Sequence, residues 1–151
     1  MSEARYHIEG MDEIISPALV VFRETLEDNL DEMIRIAGDP ARLRPHCKTH
    51  KMTQVVALQL ERGITRHKCA TFAEAEMLVA AGARDVFLAY NLVGPNMRRA
   101  VEFMQAYPGV VFSATGDHAQ PIEELGQVMQ QAGVAILGQA NGLSQGALRL
   151  I

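Results

Sequence analysis

The feature that most constrains the fold of this chain is a repeated passage from an amphipathic helix, through a glycine, into a short apolar strand. Four helical segments end in RIAG, LERG, VAAG and QQAG. A glycine at this place ends a helix in the left-handed conformation, and strands that alternate with helices every roughly 20–25 residues are typical of βα units. The sequence therefore predicts an α/β fold, a partial (β/α)8 TIM-type barrel of about five βα units, since a complete barrel needs about 250 residues.

Apolar stretches and helical periodicity give the order of elements. The predicted strands cover residues 16–22, 43–48, 66–71, 85–91, 110–115 and 134–138. The predicted helices cover residues 23–38, 51–63, 71–82, 94–109 and 121–133. Thr71 is the expected N-cap of its helix, with Glu74 placed to complete a capping box. After Leu137 the pattern is lost in the sequence GQANGLSQGALRLI.

Charge and composition exclude several classes of protein. The net charge is -4 and the pI is about 5.7, which argues against a nucleic-acid partner. No apolar run approaches the roughly 18 residues that a membrane span needs, and the charged N-terminus has no apolar signal-peptide region. We therefore expect a cytoplasmic protein with no membrane partner and with reduced thiols at Cys47 and Cys69.

The stretch RPHCKTHK, residues 44–51, concentrates ionisable groups in a chain that has three lysines. Strand alternation divides it into an apolar face and a polar face. The apolar face holds Leu43, Pro45 and Cys47. The polar face holds Arg44, His46 and Lys48. That polar face would point into the barrel, with Lys48 at the C-terminal mouth where barrel active sites lie. An amine there can form a Schiff base with a carbonyl substrate or with pyridoxal phosphate. The alternative is a solvated basic turn between a strand and a helix.

The neighbours of Lys48 receive supporting roles. Lys51 is expected at the start of the next helix, facing solvent or a phosphate, and Lys68 is expected in a structural ion pair rather than lining the barrel. Cys47 and Cys69 are interpreted as small core residues. Metal ligation by His46 and His50 is disfavoured, because no carboxylate or third ligand lies near them in sequence.

Residues that end the later strands are weaker candidates. Tyr90 and Asn91 end the strand VFLAYN at the expected barrel mouth, where they are equally consistent with a pocket or with solvent. Asp117 and His118 follow the strand VFSAT at the same mouth. Their favoured interpretation is a loop that caps the next helix.

Several separated segments resemble one known family. SPALVVF, LEDNLDEM, LRPHCKTHK and CATFAEAEMLVAAGARDVFLAYNLVGPN are similar, in this order, to the N-terminal part of the D-threonine aldolase and D-serine dehydratase family. These are fold-type III pyridoxal-phosphate enzymes, relatives of alanine racemase. The family signature is similar to P-H-x-K-T-H-K, which is matched here by Pro45, His46, Lys48, Thr49, His50 and Lys51. The similarity extends from about Ser16 to about Thr115, in a chain with the barrel units described above.

The resemblance implies a cofactor, a lysine and a substrate class. Lys48 corresponds to the lysine that bonds covalently to pyridoxal 5'-phosphate. The cofactor-binding residues implied around it are Arg44, His46, Thr49, His50, Tyr90 and Asn91. Members of the family act on D-β-hydroxy amino acids with a divalent metal, manganese or zinc, and form dimers, so a D-amino acid substrate and a homo-oligomer are expected.

The resemblance also implies a domain organisation. Residues 1–22 correspond to a segment that belongs to a separate β-domain in full-length relatives, residues 23–137 to a partial cofactor-binding barrel, and residues 138–151 to a divergent tail. The metal ligands of the family would lie beyond residue 137, so no metal ligand is expected in this chain. On this basis the tail is interpreted as a truncated or frame-shifted reading of a longer gene.

Three functions stay open at this point. The first is a D-threonine aldolase-like lyase that cleaves its substrate to glycine and an aldehyde, in a version that lacks part of the site. The second is a D-serine dehydratase-like ammonia-lyase. The third is a non-catalytic fragment that at most binds pyridoxal phosphate.

Overall fold

One long amphipathic helix dominates the first of two compact units, Met1–Asp39 and Pro40–Ile151, into which the chain divides. The computed structural model describes residues 6–133. Helix α1, Arg23–Ala37, ends at Gly38, which takes a left-handed φ of 77° and donates its N–H to the Ile34 carbonyl. This confirms the predicted helix and its glycine stop. A short 3₁₀ turn, Met11–Glu13, precedes α1.

The strand predicted at residues 16–22 is wrong. These residues lie in a bend followed by extended chain, without a strand partner among residues 6–133. Leu19 is 71% exposed, and Val20 and Val21 are exposed as well. A strand exists only where its backbone N–H and C=O groups find a ladder, so apolar content alone was an insufficient signal here.

In the second unit, strands and helices alternate as predicted. The elements are α2 (Thr53–Glu61), β1 (Arg66–Cys69), α3 (Phe72–Ala80), β2 (Asp85–Asn91), α4 (Pro95–Ala106), β3 (Val111–Thr115) and α5 (Ala119–Gln131). The three strands are parallel and pair in the order β1-β2-β3. This is a partial barrel-like α/β fold. The predicted strand at 134–138 and the predicted tail at 138–151 lie outside the described residues, and the predicted domain boundary after residue 22 stays a prediction.

The strand predicted at residues 43–48 forms only in part. The Lys68 N–H donates to the Pro45 carbonyl at 2.9 Å, and His46 lies opposite Lys68 in a single parallel bridge. At Cys47 the chain turns into a 3₁₀ helix, Cys47–Thr49. The segment therefore runs beside β1 as a fourth parallel neighbour, but its pairing stops two residues before Lys48.

Strand alternation gives the sheet two different faces. The covered face carries His67, Cys69, Val86, Leu88, Phe112 and Ala114. The open face carries Arg66, Lys68, Asp85, Phe87, Val111 and Ser113. The parallel register aligns these residues in rows, so that Lys68 lies opposite Phe87, and Phe87 lies opposite Ser113. Because His46 lies opposite Lys68, it continues this row on the open face.

Helices α2, α3 and α4 pack against the covered face. Their contributions to the core include Val56, Leu78, Ala100 and Phe103, all buried. Phe112 of β3 has ring contacts with Phe72 at 6.1 Å and with Phe103 at 5.0 Å. Burial of apolar side chains is the main driving force for such a layer. Of the helices within residues 6–133, none is long and apolar enough to cross a membrane.

Candidate active site

Lys48 lies in the 3₁₀ turn that follows the short paired segment, at the carboxyl end of the parallel strands. Its side chain is exposed, and no hydrogen bond or ion pair of its amine is found among residues 6–133. Thr49, the next residue, is exposed too. Active sites of parallel α/β folds lie at this end of the sheet. The location of Lys48 at the carboxyl end of the sheet agrees with the first expectation. Its exposure in a turn agrees with the alternative of a solvated basic turn.

His46 is the residue that joins Lys48 to the sheet. Its Nδ1 accepts a hydrogen bond from the Lys48 backbone N–H at 3.1 Å. Burial lowers the pKa of His46, and the charges of Lys48 and Lys68 lower it further. His46 is thus near enough to both Lys48 and Lys68 for their charges to affect it.

Within residues 6–133, Lys68 does not form the structural ion pair that was expected of it. No carboxylate of the described residues lies within ion-pair distance of its amine, and its half-buried side chain shares the open face with His46 and Phe87. The interpretation that was set aside, a residue lining the barrel interior, is the one that agrees with this orientation.

Arg44 also lies on the open face, but its charge is compensated. Its guanidinium donates to both carboxylate oxygens of Asp85, at 2.7 and 3.1 Å, and lies over the Phe87 ring at 5.9 Å from the centroid. A bidentate pair of this kind fixes the plane of the guanidinium. Binding of a ligand by Arg44 therefore competes with Asp85, and its cofactor-binding role stays a prediction.

His50 and Lys51 close the turn. The His50 Nδ1 accepts the Met52 N–H at 3.1 Å, while its buried Nε2 has no partner among the described residues. Lys51 has a φ of 50°, the one positive φ of a non-glycine residue between positions 6 and 133. Its N–H donates to the Cys47 carbonyl at 2.8 Å, so Lys51 ends the turn in the way that glycine usually does.

Glu74 is the functional candidate that sequence reasoning missed. Its side chain is 5% exposed, and its Oε1 accepts from the Lys51 amine at 3.0 Å. Its Oε2 accepts from the Ala70 N–H at 2.8 Å and from the Cys47 thiol at 3.8 Å. Burial disfavours the charged form of Glu74, but the Ala70 N–H and the Lys51 ammonium outweigh it, so the pKa of Glu74 lies below its ordinary value.

The sequence signal for Glu74 was its position in the motif Thr71-x-x-Glu74. Thr71 is the N-cap of α3, as predicted, and its Oγ1 accepts the Glu74 N–H at 3.2 Å. In a capping box the glutamate would return to the N-cap N–H. Here the Glu74 carboxylate instead accepts the N–H of Ala70, one residue before the N-cap, and contacts Cys47 and Lys51 in the turn around Lys48.

This contact changes the assessment of metal binding near His46. The fold brings His46, Cys47 and Glu74 together, with one potential ligand atom of each within 4.8 Å of the others. Their separation in sequence had hidden this group. Burial raises the pKa of Cys47 to about 11. A metal ion here would have to remove the Cys47 proton and displace the Lys51 ammonium from the carboxylate.

Cys47 and Cys69 are core residues, as predicted. Both are buried free thiols, at 1% and 0% exposure. Burial, with smaller contributions from the nearby Cys47 and Glu74, raises the pKa of Cys69 to about 12. Since the thiolate is the reactive form of cysteine, neither residue is poised as a nucleophile.

The carboxyl ends of β2 and β3 carry the remaining candidates. Asn91 donates from Nδ2 to the Asp117 carboxylate at 2.7 Å, whereas Tyr90 is 66% exposed. A bulge separates them from the regular part of β2, because Leu88 pairs with Ala114 and Asn91 pairs with Thr115.

The residue His118 occupies the N-cap position of α5 without a side-chain capping bond. The loop predicted here exists, but its capping chemistry is absent at His118. Sequence reasoning did not anticipate the Asn91–Asp117 contact, and the pocket roles of Tyr90 and Asn91 stay predictions.

Comparison with known proteins connects this arrangement to characterised relatives. The chain is 32% identical over 122 residues to a D-threonine aldolase of an Arthrobacter species, covering 80% of this chain and 32% of that protein. It is 32% identical over 88 residues to a D-threo-3-hydroxyaspartate dehydratase of Delftia sp. (strain HT23), covering 58% and 23%. No protein-family profile matches the sequence.

A solved structure agrees with the fold. The D-threonine aldolase from Filomicrobium marinum superposes with a TM-score of 0.71 at 28% identity, over 82% of this chain and 33% of that one. The chain thus spans about a third or less of the length of these relatives. Parallel βα units with a lysine at their carboxyl end define the class of site. Over the matched residues, the chain is similar to proteins of a D-threonine aldolase and D-serine dehydratase-like family.

Proposed function

We propose that this chain provides the cofactor lysine and part of the barrel of a pyridoxal-phosphate-dependent lyase that acts on D-β-hydroxy amino acids. The observation that carries the proposal is the Lys48 amine, which is exposed and without a partner among the described residues at the carboxyl end of the sheet. The name of the Arthrobacter relative, D-threonine aldolase, favours retro-aldol cleavage to glycine and an aldehyde.

The residues around Lys48 fit the cofactor. An aldehyde condenses with a free amine. The Glu74 carboxylate, which contacts the turn, pairs with the Lys51 amine and leaves the Lys48 amine free of an acidic partner among the described residues. Lys68 lies opposite His46 on the open face and adds positive potential for an anionic group. When bound, the pyridine ring supplies an electron sink for a carbanion.

Lys48 and the residues proposed to surround the cofactor have different roles. Lys48 Nζ would hold the cofactor covalently through its aldehyde carbon, with release of water, and would be the amine available to carry a proton. His46 fixes the start of the turn through its Nδ1 and is neutral near pH 7, because its pKa is lowered by burial. Thr49, His50, Tyr90 and Asn91 are proposed to complete the lining, and a divalent metal is proposed to assist at the substrate hydroxyl.

A second function has a specific observation in its favour. The Delftia relative is named as a dehydratase of D-threo-3-hydroxyaspartate. A dehydratase-like ammonia-lyase uses the same lysine on the same substrate class, so Lys48 does not distinguish it from an aldolase. The products do: glycine and an aldehyde from one, ammonia and a keto acid from the other.

The test begins with pyridoxal phosphate and the purified protein. We expect a visible absorption band that borohydride removes, with the reduced adduct on Lys48, and no such adduct in Lys48→Ala. A band that is unchanged in Lys48→Ala would contradict the cofactor proposal. D-threonine and D-3-hydroxyaspartate with manganese then give glycine, ammonia or neither. The last result, with the adduct present, supports cofactor binding without turnover.

A further inference from the structure

The turn that carries Lys48 is fixed on both sides by one buried side chain. On one side, the Cys47 thiol donates to Glu74 Oε2 at 3.8 Å; on the other, the Lys51 amine contacts Glu74 Oε1 at 3.0 Å. Between them in sequence, Lys48 and Thr49 are exposed to solvent, and Lys48 carries the amine. Glu74 itself is fixed by the Ala70 N–H at 2.8 Å and by its place in the first turn of α3.

The backbone at Lys51 has an unusual conformation for a residue with a side chain. A left-handed conformation costs a residue with a Cβ about 1 kcal/mol or more relative to glycine. Lys51 nevertheless adopts a φ of 50° and ends the turn by donating to the Cys47 carbonyl. The ion pair with the buried Glu74 carboxylate restrains the Lys51 side chain, although its energetic contribution is modest because Lys51 is 62% exposed.

We propose that Glu74 is a positioning residue of the Lys48 site, which holds Cys47 and Lys51 and thereby fixes the turn that presents the Lys48 amine. The inference rests on the function proposed for Lys48. Glu74 does not touch the amine, so it acts on binding only through the conformation of residues 47–51. Lys51 has the same role from the other end of the ion pair, which differs from the phosphate-facing role expected of it.

The test uses pyridoxal phosphate as the probe. Among the three lysines of the chain, Lys48 is the target and Lys68 is the internal reference. The protein is titrated with the probe and reduced with borohydride, and the occupancy of Lys48 and of Lys68 is measured by peptide mass spectrometry. In the native sequence we expect half-occupancy of Lys48 at a much lower concentration than that of Lys68.

Glu74→Gln is the main variant, and Glu76→Gln is its matched control. The glutamine keeps the volume and can still accept the Ala70 N–H, while Lys51, 62% exposed, is released to water. We expect the concentration for half-occupancy of Lys48 to rise about tenfold, which corresponds to the loss of one modest interaction, and Lys68 to be unchanged. Glu76 lies on the same helix, in an exposed contact with Arg99 at 3.9 Å, and its replacement should change neither lysine.

Lys51→Gly separates positioning from stability. Glycine accepts the left-handed φ without strain but has no amine for Glu74. If Glu74 and Lys51 had only a structural role, this variant would label at Lys48 as well as the native protein. We expect instead a loss similar to that of Glu74→Gln. Equal labelling of Lys48 in both variants and in the native protein, at a temperature where all are folded, overturns the inference.

Amide hydrogen exchange tests, without the cofactor, whether Glu74 fixes the conformation of residues 47–51. In Glu74→Gln, we expect faster exchange at His50 and Lys51, whose N–H groups both donate to the Cys47 carbonyl, and unchanged exchange in β2. Native protein that shows no preference for Lys48 over Lys68 would overturn the proposed function. Exchange that is unchanged by Glu74→Gln would overturn the positioning role alone.

Discussion

The covered and open faces of the same parallel sheet carry different kinds of polar side chain. On the covered face, His67 is fully buried with no hydrogen-bond partner for either ring nitrogen among the described residues. On the open face, Arg44 is bound by Asp85, while the amine of Lys68 has no acidic partner in the described part of the chain.

The difference lies in how each face tolerates a polar group. The covered face admits a histidine because an imidazole can lose its charge, and burial lowers the pKa of His67 to about 4. The open face holds Lys68 and the partly exposed ion pair of Arg44 with Asp85. An unpaired cation is therefore informative about function only on the open face.

Leu88→Ala compared with Phe87→Ala should show the largest contrast, since these neighbours point to opposite faces. Leu88 is 2% exposed, and truncation of a buried leucine costs about 2–5 kcal/mol of unfolding free energy. Phe87 is only partly buried, under Arg44, so its truncation should cost less than half as much. Equilibrium denaturation in urea measures both. Equal losses would contradict the assignment of the two faces.

His67→Leu should change the acid stability of the protein. A pKa of about 4 in the folded state, against an ordinary value of 6.5, means that the unfolded chain binds the proton more readily. Stability that is complete above pH 6.5 is therefore lost as the pH falls towards 4, by about 3 kcal/mol. The leucine variant should be at least as stable at pH 7 and should lose less on acidification.

Denaturation curves at several pH values, with His118→Leu as an exposed control, measure this effect. The control should keep the acid-dependent loss of the native protein. A His67→Leu variant with the same loss would assign it to other groups.

Arg44 and Asp85 are expected to show a smaller effect, because both side chains are partly exposed, at 30% and 25%. In a double-mutant cycle of Arg44→Met and Asp85→Asn, we expect a coupling of about 1 kcal/mol. If Arg44 also binds the cofactor phosphate, Asp85→Asn should improve cofactor binding while it lowers stability. A coupling near zero would show that the pair orients the two side chains without adding to the free energy of unfolding.

Ser113→Ala should have the smallest effect. Ser113 is exposed on the open face, in the row that continues from Lys68 through Phe87. Surface substitutions of this kind usually stay within about 0.5 kcal/mol. A larger loss, measured in the same urea series, would mean that this end of the row is buried in solution.

Much of the fold followed from the sequence because its signals are local. The glycines after α1 and α2 take the positive φ values that were expected of helix ends, 77° at Gly38 and 81° at Gly63. The strands β2 and β3 were predicted from apolar runs and β1 from the polar segment RHKCAT between two helices, and all three are confirmed. The two failures, at residues 16–22 and after His46, share a physical cause. Strand pairing is decided by a distant partner, which local composition does not reveal.

The site was predictable only where one residue carries the chemistry. Lys48 was identified from its neighbours and from the family resemblance, and its place at the carboxyl end of the sheet agrees with this. Glu74 was identified only as a capping residue, because its contacts with Cys47 and Lys51 cross about 25 positions of sequence and depend on the packing of α3 against the turn. The lack of an acidic partner for Lys68 was likewise invisible until the strands were placed.

The bulge in β2 has a consequence for how relatives of this chain should be aligned. Between Leu88 and Asn91 the strand has two more residues than β3 needs to stay in register. Before the bulge, the loss of one residue from β2 would turn Val86 to the open face, and any loss would break its pairing with His67 and Phe112. Relatives that are two residues shorter here should therefore be gapped at Ala89 and Tyr90, and not in the loop that follows, so that Asn91 keeps its column.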